Sequence, residues 1–299
     1  MRNDMLNKYI WIVDTITSRG RVTRRELNEL WERSAHYDGK PIPHRTFFNM
    51  RREVESLFNI DILCDNLNRY YIASADSPAD KAFRSWMLDS FAMRSAVAEA
   101  SDLSKRIEVE NIPSARDYLA PVIRAIRENK QILFSYAGFN RAFPDKDILY
   151  APYFLKLFRQ RWYMIGKRGD SGEIRTYALD RISSLTITDR SFSLPEGLEP
   201  SDVFGDLFGI TSSHGPVHHV ILEAKPLTAK YLRALPLHRS QREDIYSDRS
   251  LFHYDLKLTP DFLRELMSLG PDIKVVEPKE LSLMLLQQLQ ATLSNYQPQ

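Results

Sequence analysis

Cations alternate with aromatic residues between positions 155 and 181, a pattern suited to an anionic ligand. Arginine presents a planar fork of donors that matches phosphate, and aromatic rings stack on nucleobases. The pattern therefore predicts a ligand that carries phosphate and base. The alternative is that the charges are solvated and keep the edge of a hairpin from aggregating. Seven cations stand against three carboxylates: Lys156, Arg159, Arg161, Lys167, Arg168, Arg175 and Arg181 against Asp170, Glu173 and Asp180.

Two short strands, residues 162–165 and 174–179, would position these side chains. Both are rich in aromatic and β-branched residues, and residues 169–172 between them suit a turn. Side chains alternate between the faces of a strand, so we expect guanidinium and phenol groups to share one surface of a small curved sheet. The sets predicted to share a face are Arg161, Tyr163, Ile165 and Lys167, opposite Trp162 and Met164, and Arg175, Tyr177 and Leu179, opposite Ile174, Thr176 and Ala178.

A second basic segment, which starts near Pro43, has the pattern of a helix that reads the major groove of DNA. Its polar side carries Arg45, Asn49 and Arg52. Arginine bonds guanine through two donors, asparagine bonds adenine, and neighbouring arginines neutralise phosphates. A solvated surface helix is the alternative reading. The apolar face is predicted to consist of Phe47, Met50, Val54 and Leu57.

The elements around this helix predict a winged helix-turn-helix. Apolar residues recur at helical spacing over residues 6–16, and Gly20 ends that helix. Thr23 and Glu26 have the spacing of a capping box that begins a second helix. The connection over residues 34–42 is longer than the usual turn of three or four residues.

A β-hairpin after the third helix is the expected wing. Residues 60–63 and 69–72 alternate in polarity around the turn Asp65-Asn66-Leu67-Asn68. Together the helix and the wing predict that the N-terminal domain binds DNA. The predicted DNA contacts are Arg24, Arg25, His44, Arg45, Thr46, Phe48, Asn49, Arg51, Arg52, Asn68 and Arg69.

Composition and charge restrict the class of protein. The net charge of the 299 residues is only +2, but residues 19–52 hold nine Lys and Arg against four acids, as expected of a surface that meets a polyanion. No apolar run is long enough to cross a bilayer, and the first residues lack the cleavage region of a signal peptide. Cys64 is the single cysteine, which excludes a disulfide scaffold and favours the cytoplasm.

No set of catalytic residues is evident, so we expect a protein that is not an enzyme. The phosphate-loop, dinucleotide-binding, zinc-protease and hydrolase-elbow motifs are missing from the sequence. His218 and His219 are adjacent on a predicted strand and would point to opposite faces, so they do not predict a shared metal ion. We expect neither a metal nor a cofactor. Cys64 follows an apolar strand and is expected to be buried.

The residues of the basic hairpin resemble the WYL domain, a small SH3/Sm-like β-barrel of bacterial regulators. Met164 stands where the leucine of the name-giving triplet is usual, a swap that conserves volume. Lys146 and Asp147 stand where relatives often carry an arginine. The resemblance implies that the barrel binds nucleic acid or a nucleotide-type ligand. It rests on Trp162-Tyr163-Met164, on Arg175-Thr-Tyr-Ala-Leu-Asp-Arg181-Ile182, on Ala151-Pro152-Tyr153-Phe154-Leu155 and on Phe134-Ser135-Tyr136.

This resemblance implies which residues bind the effector. The cations would contact phosphate or the nucleic-acid backbone, and the tyrosines would stack or donate hydrogen bonds. Alternatively, Arg181 forms an ion pair with Asp180 or another carboxylate. Trp162 is expected in the barrel core. The implied effector-binding residues are Tyr136, Arg161, Tyr163, Lys167, Arg175 and Arg181.

The remaining segments complete a multidomain α+β chain. Residues 43–55 resemble the recognition helix of DeoR-like repressors. The order β-α-β-β-α-β after residue 217 predicts a ferredoxin-like fold and resembles the extension that commonly follows WYL domains, including His238-Arg-Ser-Gln241 and Val275-Val-Glu-Pro278. The expected domains are the winged helix-turn-helix (1–76), a helical linker or dimerisation segment (77–114), the WYL barrel (115–192), a linker (193–216) and the C-terminal extension with a dimerisation or regulatory role (217–299).

These readings converge on a cytoplasmic transcription regulator. We expect a repressor that binds a palindromic duplex operator as a homodimer and senses a nucleotide or oligonucleotide effector, with no membrane association. The resemblance makes control of phage-defence genes plausible. A second hypothesis is an accessory protein that grips single-stranded nucleic acid for a nuclease or helicase, also in phage defence. A third, an enzyme acting on nucleotides, has no catalytic set to support it.

Overall fold

The computed structural model describes residues 2–34, 37–58, 60–73, 85–90, 93, 97, 105–108, 110, 115–139, 142–213 and 215–297. The chain divides into two compact units, Met1–Glu110 (unit 1) and Asn111–Gln299 (unit 2), and each is described by itself. Both combine helices with antiparallel sheets, so the predicted mixed α and β class is confirmed. Most of the predicted helical segment 77–114 lies outside the described residues.

In the described part of unit 1, three helices pack against a small antiparallel sheet, and residues 85–90 are also helical. One buried cluster, which includes Trp31 and Phe47, joins the helices to the sheet. A two-residue strand also pairs with the hairpin. The sequence did not predict it, because so short a strand shows no alternation. The elements are α1 (Arg2–Arg19), β1 (Val22–Thr23), α2 (Arg24–Glu32), α3 (His44–Phe58), β2 (Ile62–Cys64) and β3 (Arg69–Ile72), with the strand order β1-β3-β2.

The start of α2 has the predicted capping box. Thr23 Oγ1 accepts a hydrogen bond from Glu26 N at 3.2 Å, and the Glu26 carboxylate accepts one from Thr23 N at 2.8 Å. The long connection that follows is tied back to α2, since Asn28 Oδ1 accepts a hydrogen bond from Ile42 N at 2.9 Å. These bonds hold the start of α3 beside α2.

The apolar face of α3 differs from the prediction at one position. Phe47, Met50 and Val54 are buried as expected, but Leu57 is 52% exposed and Phe58 takes its place in the core. The helical period explains the difference. At 3.6 residues per turn, Phe58 lies within about 20° of Phe47 around the helix axis, whereas Leu57 lies about 80° away. Cys64, expected to be buried, is exposed at the end of β2, although it shares a face of the strand with the buried Ile62.

Unit 2 begins with a helix and a five-stranded antiparallel sheet. The two strands predicted for residues 162–165 and 174–179 are present, and a 3-10 turn (Leu179–Arg181) replaces the end of the second one. The elements are α4 (Arg116–Arg127), β4 (Lys130–Tyr136), β5 (Asp145–Phe158), β6 (Arg161–Arg168), β7 (Ile174–Ala178) and β8 (Ile182–Ser191), with the strand order β7-β6-β5-β4-β8.

A second sheet in unit 2 follows the predicted order β-α-β-β-α-β. Three helices cover one face of it, and the alternate residues of its central strands form that core, as Phe252 and Tyr254 do. The other face bears His219, His253 and Asp255. The elements are β9 (Val217–Ala224), α6 (Pro226–Ala234), β10 (Arg242–Ile245), β11 (Ser250–Lys257), α7 (Pro260–Ser268), β12 (Ile273–Glu277) and α8 (Lys279–Ser294); α5 (Pro200–Phe204) precedes them, and the strand order is β10-β11-β9-β12.

Residues 200–211, which we call the connecting segment, are packed and not a free linker. Phe204 packs beside the part of the first sheet that contains Ile165, and Phe208 is buried in the core of the second sheet. Lys156 Nζ donates a hydrogen bond to Gly209 O at 2.6 Å, while Asp261 Oδ2 accepts one from Ile210 N at 2.9 Å. The segment predicted as a linker therefore joins the two sheets through its own apolar residues.

A close approach between β5 and β6 requires glycine at one position. A Cβ atom on Gly166 would lie 2.0 Å from the carbonyl oxygen of Ala151, where the pairing of the strands is irregular. We expect Gly166→Ala to lower the free energy of unfolding of unit 2 by about 3 kcal/mol, since backbone must move to admit the methyl group. Gly138→Ala is the matched control, because a Cβ there meets nothing within 4 Å.

Urea unfolding of both variants measures this difference. Gly138→Ala should be neutral or stabilising by about 0.4–1 kcal/mol, as at an unstrained glycine. Equal stability of the Gly166 variant and the wild type would show that β5 and β6 are not this close.

Candidate nucleic-acid interface and ligand site

The exposed side of α3 presents three of the predicted DNA-contacting residues in one row. Arg45, Asn49 and Arg52 stand at i, i+4 and i+7, which places them along one face of a helix. All three are exposed, and none forms an ion pair or a side-chain hydrogen bond with another residue in the described part of the chain. Two cations and one amide are therefore open to an incoming ligand. Thr46, also a predicted contact, is exposed beside them.

Phe48 and His44 occupy the N-terminal turns of α3. The ring of His44 lies 4.7 Å from that of Phe48, and Phe48 in turn packs against the core of unit 1. Phe48 was predicted to contact DNA, but its side chain is partly buried against this core. Its effect is to fix the position of the exposed His44 imidazole at the start of α3.

Three other predicted DNA contacts are held by groups of unit 1. Arg24 Nη2 donates a hydrogen bond to Ile42 O at 3.1 Å, and its guanidinium lies over the ring of Phe47. A carboxylate beside an arginine neutralises much of the charge it would bring to a phosphate. The ion pairs are Arg25 with Glu29 (3.3 Å) and Arg51 with Glu55 (2.9 Å), the second of them half-buried.

The turn of the hairpin is organised by Asp65. Its carboxylate accepts hydrogen bonds from Leu67 N (2.9 Å), Arg69 N (3.0 Å), Arg69 Nε (2.9 Å) and Arg21 Nη1 (2.7 Å). Burial acts to raise the pKa of Asp65, but these bonds outweigh it and hold that pKa well below its usual range. Asn68 has a φ of 56°, a left-handed conformation that asparagine tolerates in turns. Arg69 and Arg21 thus add one net positive charge to the predicted wing.

The register of β6 and β7 separates residues that were expected on one surface. Tyr163 pairs with Ala178, Lys167 with Ile174 and Gly166 with Arg175. Because directly paired residues of antiparallel strands share a face, Arg175 lies on the face opposite that of Tyr163 and Lys167. The expectation of one surface that carries all the guanidinium and phenol groups is wrong. Alternation in the sequence determines which residues of one strand share a face. It does not determine which faces of two neighbouring strands coincide.

Four of the predicted effector-binding residues do come together, with a fifth residue that was not predicted as a site. Arg161 forms an ion pair with Asp180 and lies 5.9 Å from the ring of Tyr163. Burial raises the pKa of Tyr163, and the nearby charges of Arg161 and Arg181 act to lower it. The Oη of Tyr136 accepts a hydrogen bond from the backbone nitrogen of Ala178, the residue that pairs with Tyr163. We call Tyr136, Arg161, Tyr163, Asp180 and Arg181 the Arg161–Asp180 cluster.

The polar groups of this cluster are incompletely paired. Arg161 Nε, Asp180 Oδ1 and Arg181 Nε are buried atoms that form no hydrogen bond with a described residue. Buried polar atoms are rarely left without a partner, so these three are available to bind water or a polar ligand. Two guanidinium groups against one carboxylate favour an anion.

Arg181 does not form the ion pair with Asp180 that its sequence neighbourhood suggested. Its guanidinium lies 3.2 Å from the ring centre of Phe139, a residue 78% exposed, while Asp180 is taken by Arg161. Sequence reasoning missed Phe139 and Asp180. The neighbouring residues Asp180 and Arg181 were visible in the sequence. The partner of Asp180, which is Arg161 on β6, 19 positions earlier, was not.

Lys167 and Arg175 lie outside the cluster. Lys167 is exposed near the end of β6, and Arg175, on the other face, forms an ion pair with Glu173. Trp162 packs against the core of the first sheet, as expected.

The connecting segment covers the face of the first sheet that bears Tyr163. The Tyr163 side chain is buried there with Val203 and Phe204 close by, so its ring offers little area for stacking. Lys156 is enclosed by the same packing. Burial lowers the pKa of Lys156 to about 8, and its ammonium lies 4.3 Å from the ring centre of Phe204.

Two kinds of feature are absent from the described residues. No group of three or more His, Cys, Asp and Glu side chains within them is arranged to hold a metal ion. Nor does any helix in the described ranges have both the length and the apolar character needed to cross a membrane.

Comparison with protein families identifies two domains in unit 2. Residues 117–187 match the WYL domain, and residues 216–293 match the WCX domain. The first match contains the first sheet up to Ile187 in β8, and the second contains the second sheet. No curated protein sequence matches the chain.

Two solved structures show distant similarity to this chain. The proteasome accessory factor B/C (PafBC) of Arthrobacter aurescens is 20% identical, with 99% of this chain and 48% of that chain covered and a TM-score of 0.35. A CRISPR Cas-related protein is 14% identical, with 61% of this chain and 53% of that chain covered and a TM-score of 0.27. This chain spans about half the length of PafBC, and similarity at this level carries no argument about function.

Proposed function

From its WYL and WCX domains, the architecture typical of WYL-domain transcriptional regulators, we propose that this chain is a transcription regulator that binds duplex DNA through unit 1. In this proposal, unit 1 is a winged helix-turn-helix, and the first sheet of unit 2 is an SH3/Sm-like barrel that binds a nucleotide-type effector. The second sheet with its helices is a ferredoxin-like extension. The protein acts as a repressor in the cytoplasm, without enzymatic activity.

The observation that carries the proposal is the row of Arg45, Asn49 and Arg52 on α3. The row contains no carboxylate, and none of its members is engaged by a described residue. A solvated surface helix usually carries both positive and negative side chains along a row, since opposite charges at i and i+4 stabilise the helix. An unpaired Arg-Asn-Arg row has instead the donors that read guanine and adenine and neutralise phosphates.

The hairpin beside α3 supports the same function. Winged domains insert a helix in the major groove and place a hairpin against the backbone. Asp65 holds Arg21 and Arg69 at this hairpin, and Asn68 lies exposed at its turn. Backbone contacts of this kind position a protein on DNA without specifying sequence.

We expect Arg45→Ala and Asn49→Ala each to weaken binding to the preferred duplex by about 1–3 kcal/mol, the value of one bidentate base contact. The duplex is first obtained by selection from a randomised library with the purified wild-type protein. Asn49→Ala should also relax sequence preference at one base pair. Arg52→Ala should weaken all duplexes alike and reduce the salt dependence by about one counterion.

Arg19→Ala is the matched control, since Arg19 is an exposed arginine of unit 1 on the last turn of α1. Its effect on affinity should be small and independent of sequence. Wild-type affinity of both the Arg45 and Asn49 variants for the selected duplex would refute the reading role of α3. Selection of no duplex at all would favour the single-strand function below.

The proposed effector site is the Arg161–Asp180 cluster. Its two guanidinium groups each have an unpaired Nε donor, which suits phosphate oxygens. The exposed ring of Phe139 beside Arg181 offers a face for a base. This site differs from the one expected from sequence, because Lys167 and Arg175 lie outside it. Asp180 holds Arg161 in place.

Arg181→Ala should weaken binding of a fluorescent eight-nucleotide oligothymidylate at least tenfold, as expected for loss of a charge-assisted hydrogen bond of about 1.5–3 kcal/mol. Arg175→Ala is the matched control, because Arg175 lies in the same domain on the opposite face and is paired with Glu173. Fluorescence anisotropy measures both. Equal losses in the two variants would indicate general charge attraction and would refute a defined site.

The proposed homodimer is supported by an unpartnered face of α8. Leu286, Leu289 and Leu293 are each about half exposed and stand at spacings of three and four residues, the spacing of a helix–helix seam. Residues 281–297 contain no charged side chain. Charge depletion is typical of the core of an interface, and a row of uncharged side chains is complementary to a copy of itself. We propose that a second copy of this chain covers it.

Leu286→Glu together with Leu293→Glu should convert the dimer to a monomer, since each carboxylate would be buried without a partner. Light scattering after gel filtration measures the mass. Leu227→Glu is the control, because Leu227 is an exposed leucine on α6 in the same unit. A monomeric wild type at micromolar concentration, or dissociation of the control as well, would contradict the role of α8.

A second candidate function has one specific observation in its favour. Phe139 and Phe143 are 78% and 83% exposed in the connection between β4 and β5, and exposed aromatic rings stack on unpaired bases. The protein would then grip single-stranded nucleic acid to assist a nuclease or helicase, in phage defence or elsewhere. Sequence-specific protection of a duplex in footprinting separates the regulator from this accessory function.

A further inference from the structure

The face of the second sheet that its helices leave uncovered carries two histidines on neighbouring strands. β11 alternates strictly, so that Phe252 and Tyr254 enter the core and His253 and Asp255 lie on the other face. His219 on β9 pairs directly with Asp255 and is therefore diagonal to His253. Their ring centres are 5.4 Å apart.

Each histidine is held from behind by a carboxylate. His219 Nδ1 donates to Asp255 Oδ1 at 2.9 Å, and His253 Nε2 donates to Asp244 Oδ2 at 3.0 Å. The second oxygen of Asp255 accepts a hydrogen bond from Arg242 at 2.8 Å, so Asp255 is fixed as well. Ionised carboxylates are acceptors only, which assigns both of these ring protons.

The two remaining ring nitrogens face each other. His219 Nε2 and His253 Nδ1 are 3.2 Å apart. A neutral imidazole has a single N–H, and each ring already directs its own to a carboxylate. Two lone pairs therefore point at one small space, and one shared proton or one metal ion between them would remove their repulsion.

The geometry fits a metal ion. Two nitrogen ligands at about 2.0–2.1 Å from one ion lie about 2.9–3.4 Å apart for ligand angles of about 90–109°. The 3.2 Å between His219 Nε2 and His253 Nδ1 falls in this interval. A carboxylate behind each histidine is also the usual support of a metal-bound imidazole, because it fixes the ring and raises its basicity. We propose that His219 and His253 form a two-histidine site for a divalent transition-metal ion of the zinc class.

Solvent access decides the rest of the coordination. The side chain of His219 is 45% exposed and that of His253 is 20% exposed, so water can fill the other positions. Imidazole nitrogen suits zinc, copper and nickel, and not magnesium or calcium, which take oxygen. The neighbouring His218 is not a ligand, since it points to the opposite face, where Glu280 lies 3.9 Å away. Bound metal would join β9 to β11 and stabilise unit 2.

Titration calorimetry with zinc chloride on tag-free, full-length protein tests the site. One zinc ion per chain is expected, and magnesium chloride should give no heat of binding. His219→Gln and His253→Gln should each weaken zinc at least tenfold. Asp244→Asn, which leaves both ligands in place, should weaken zinc by about 10–100-fold, the usual effect of losing a support behind a metal-bound histidine.

Two controls identify the ligands. His218→Gln removes the adjacent histidine from the opposite face, and Cys64→Ser removes the single thiol; both should bind zinc as the wild type does. Imidazole nitrogen chemical shifts in NMR should move for His219 and His253 on addition of zinc. Unaltered zinc binding in the His219/His253 double variant would overturn the proposal. So would the lack of saturable binding at millimolar zinc, in which case the pair holds a shared proton only.

Discussion

Ion pairing determines which of the many arginines can still meet an anion. Carboxylates engage Arg51, Arg69, Arg161 and Arg175 through Glu55, Asp65, Asp180 and Glu173. An arginine in such a pair brings little net charge to a phosphate, because its field is largely cancelled at the distance of a ligand. The arginines left without a carboxylate in the described residues include Arg45 and Arg52 on α3 and Arg181 beside Phe139. At the two proposed anion sites this cancellation is incomplete.

Unpaired and paired arginines have different physical roles at these sites. On α3, exposure to water keeps Arg45 and Arg52 stable without partners, so the row is ready for a duplex before one arrives. In unit 2, Arg161 is half-buried and needs Asp180, because an uncompensated guanidinium there would lose its hydration without return. The pair orients the donors of Arg161, and Arg181 next to it supplies the excess positive charge.

The connecting segment makes the two sheets of unit 2 one packed body. Phe204 lies on the side of β6 that carries Tyr163, and Phe208 is buried between helices and strands of the second sheet. Asp261 accepts hydrogen bonds from the segment, and its charge partly opposes the lowering of the pKa of Lys156 by burial. Under the proposed function, an effector that changes the packing of this segment would act on the second sheet through it, since a ligand acts only through contacts that differ between two states.

Much of the local structure could be predicted because it depends on neighbours in sequence. The capping box of Thr23 and Glu26 needs a spacing of three residues, and the second sheet was foreseen from the order β-α-β-β-α-β of its segments. Bounds were less accurate, and Leu57 was misplaced because one residue changes the side of a helix by about 100°. The role of Phe58 was visible in the same sequence once its place in the 3.6-residue period is counted.

Residue types and short-range periodicity by themselves determined the α and β elements, the concentration of positive charge in two segments, and the identity of the row on α3. Only the tertiary structure decided which residues meet. The register of β6 against β7 placed Arg175 on the face opposite that of Tyr163. The fold also paired Asp180 with Arg161 and brought His219 within reach of His253. The reason is that a strand sets its own alternation locally, whereas register, ion pairing and contact between distant strands are settled by how separate segments pack.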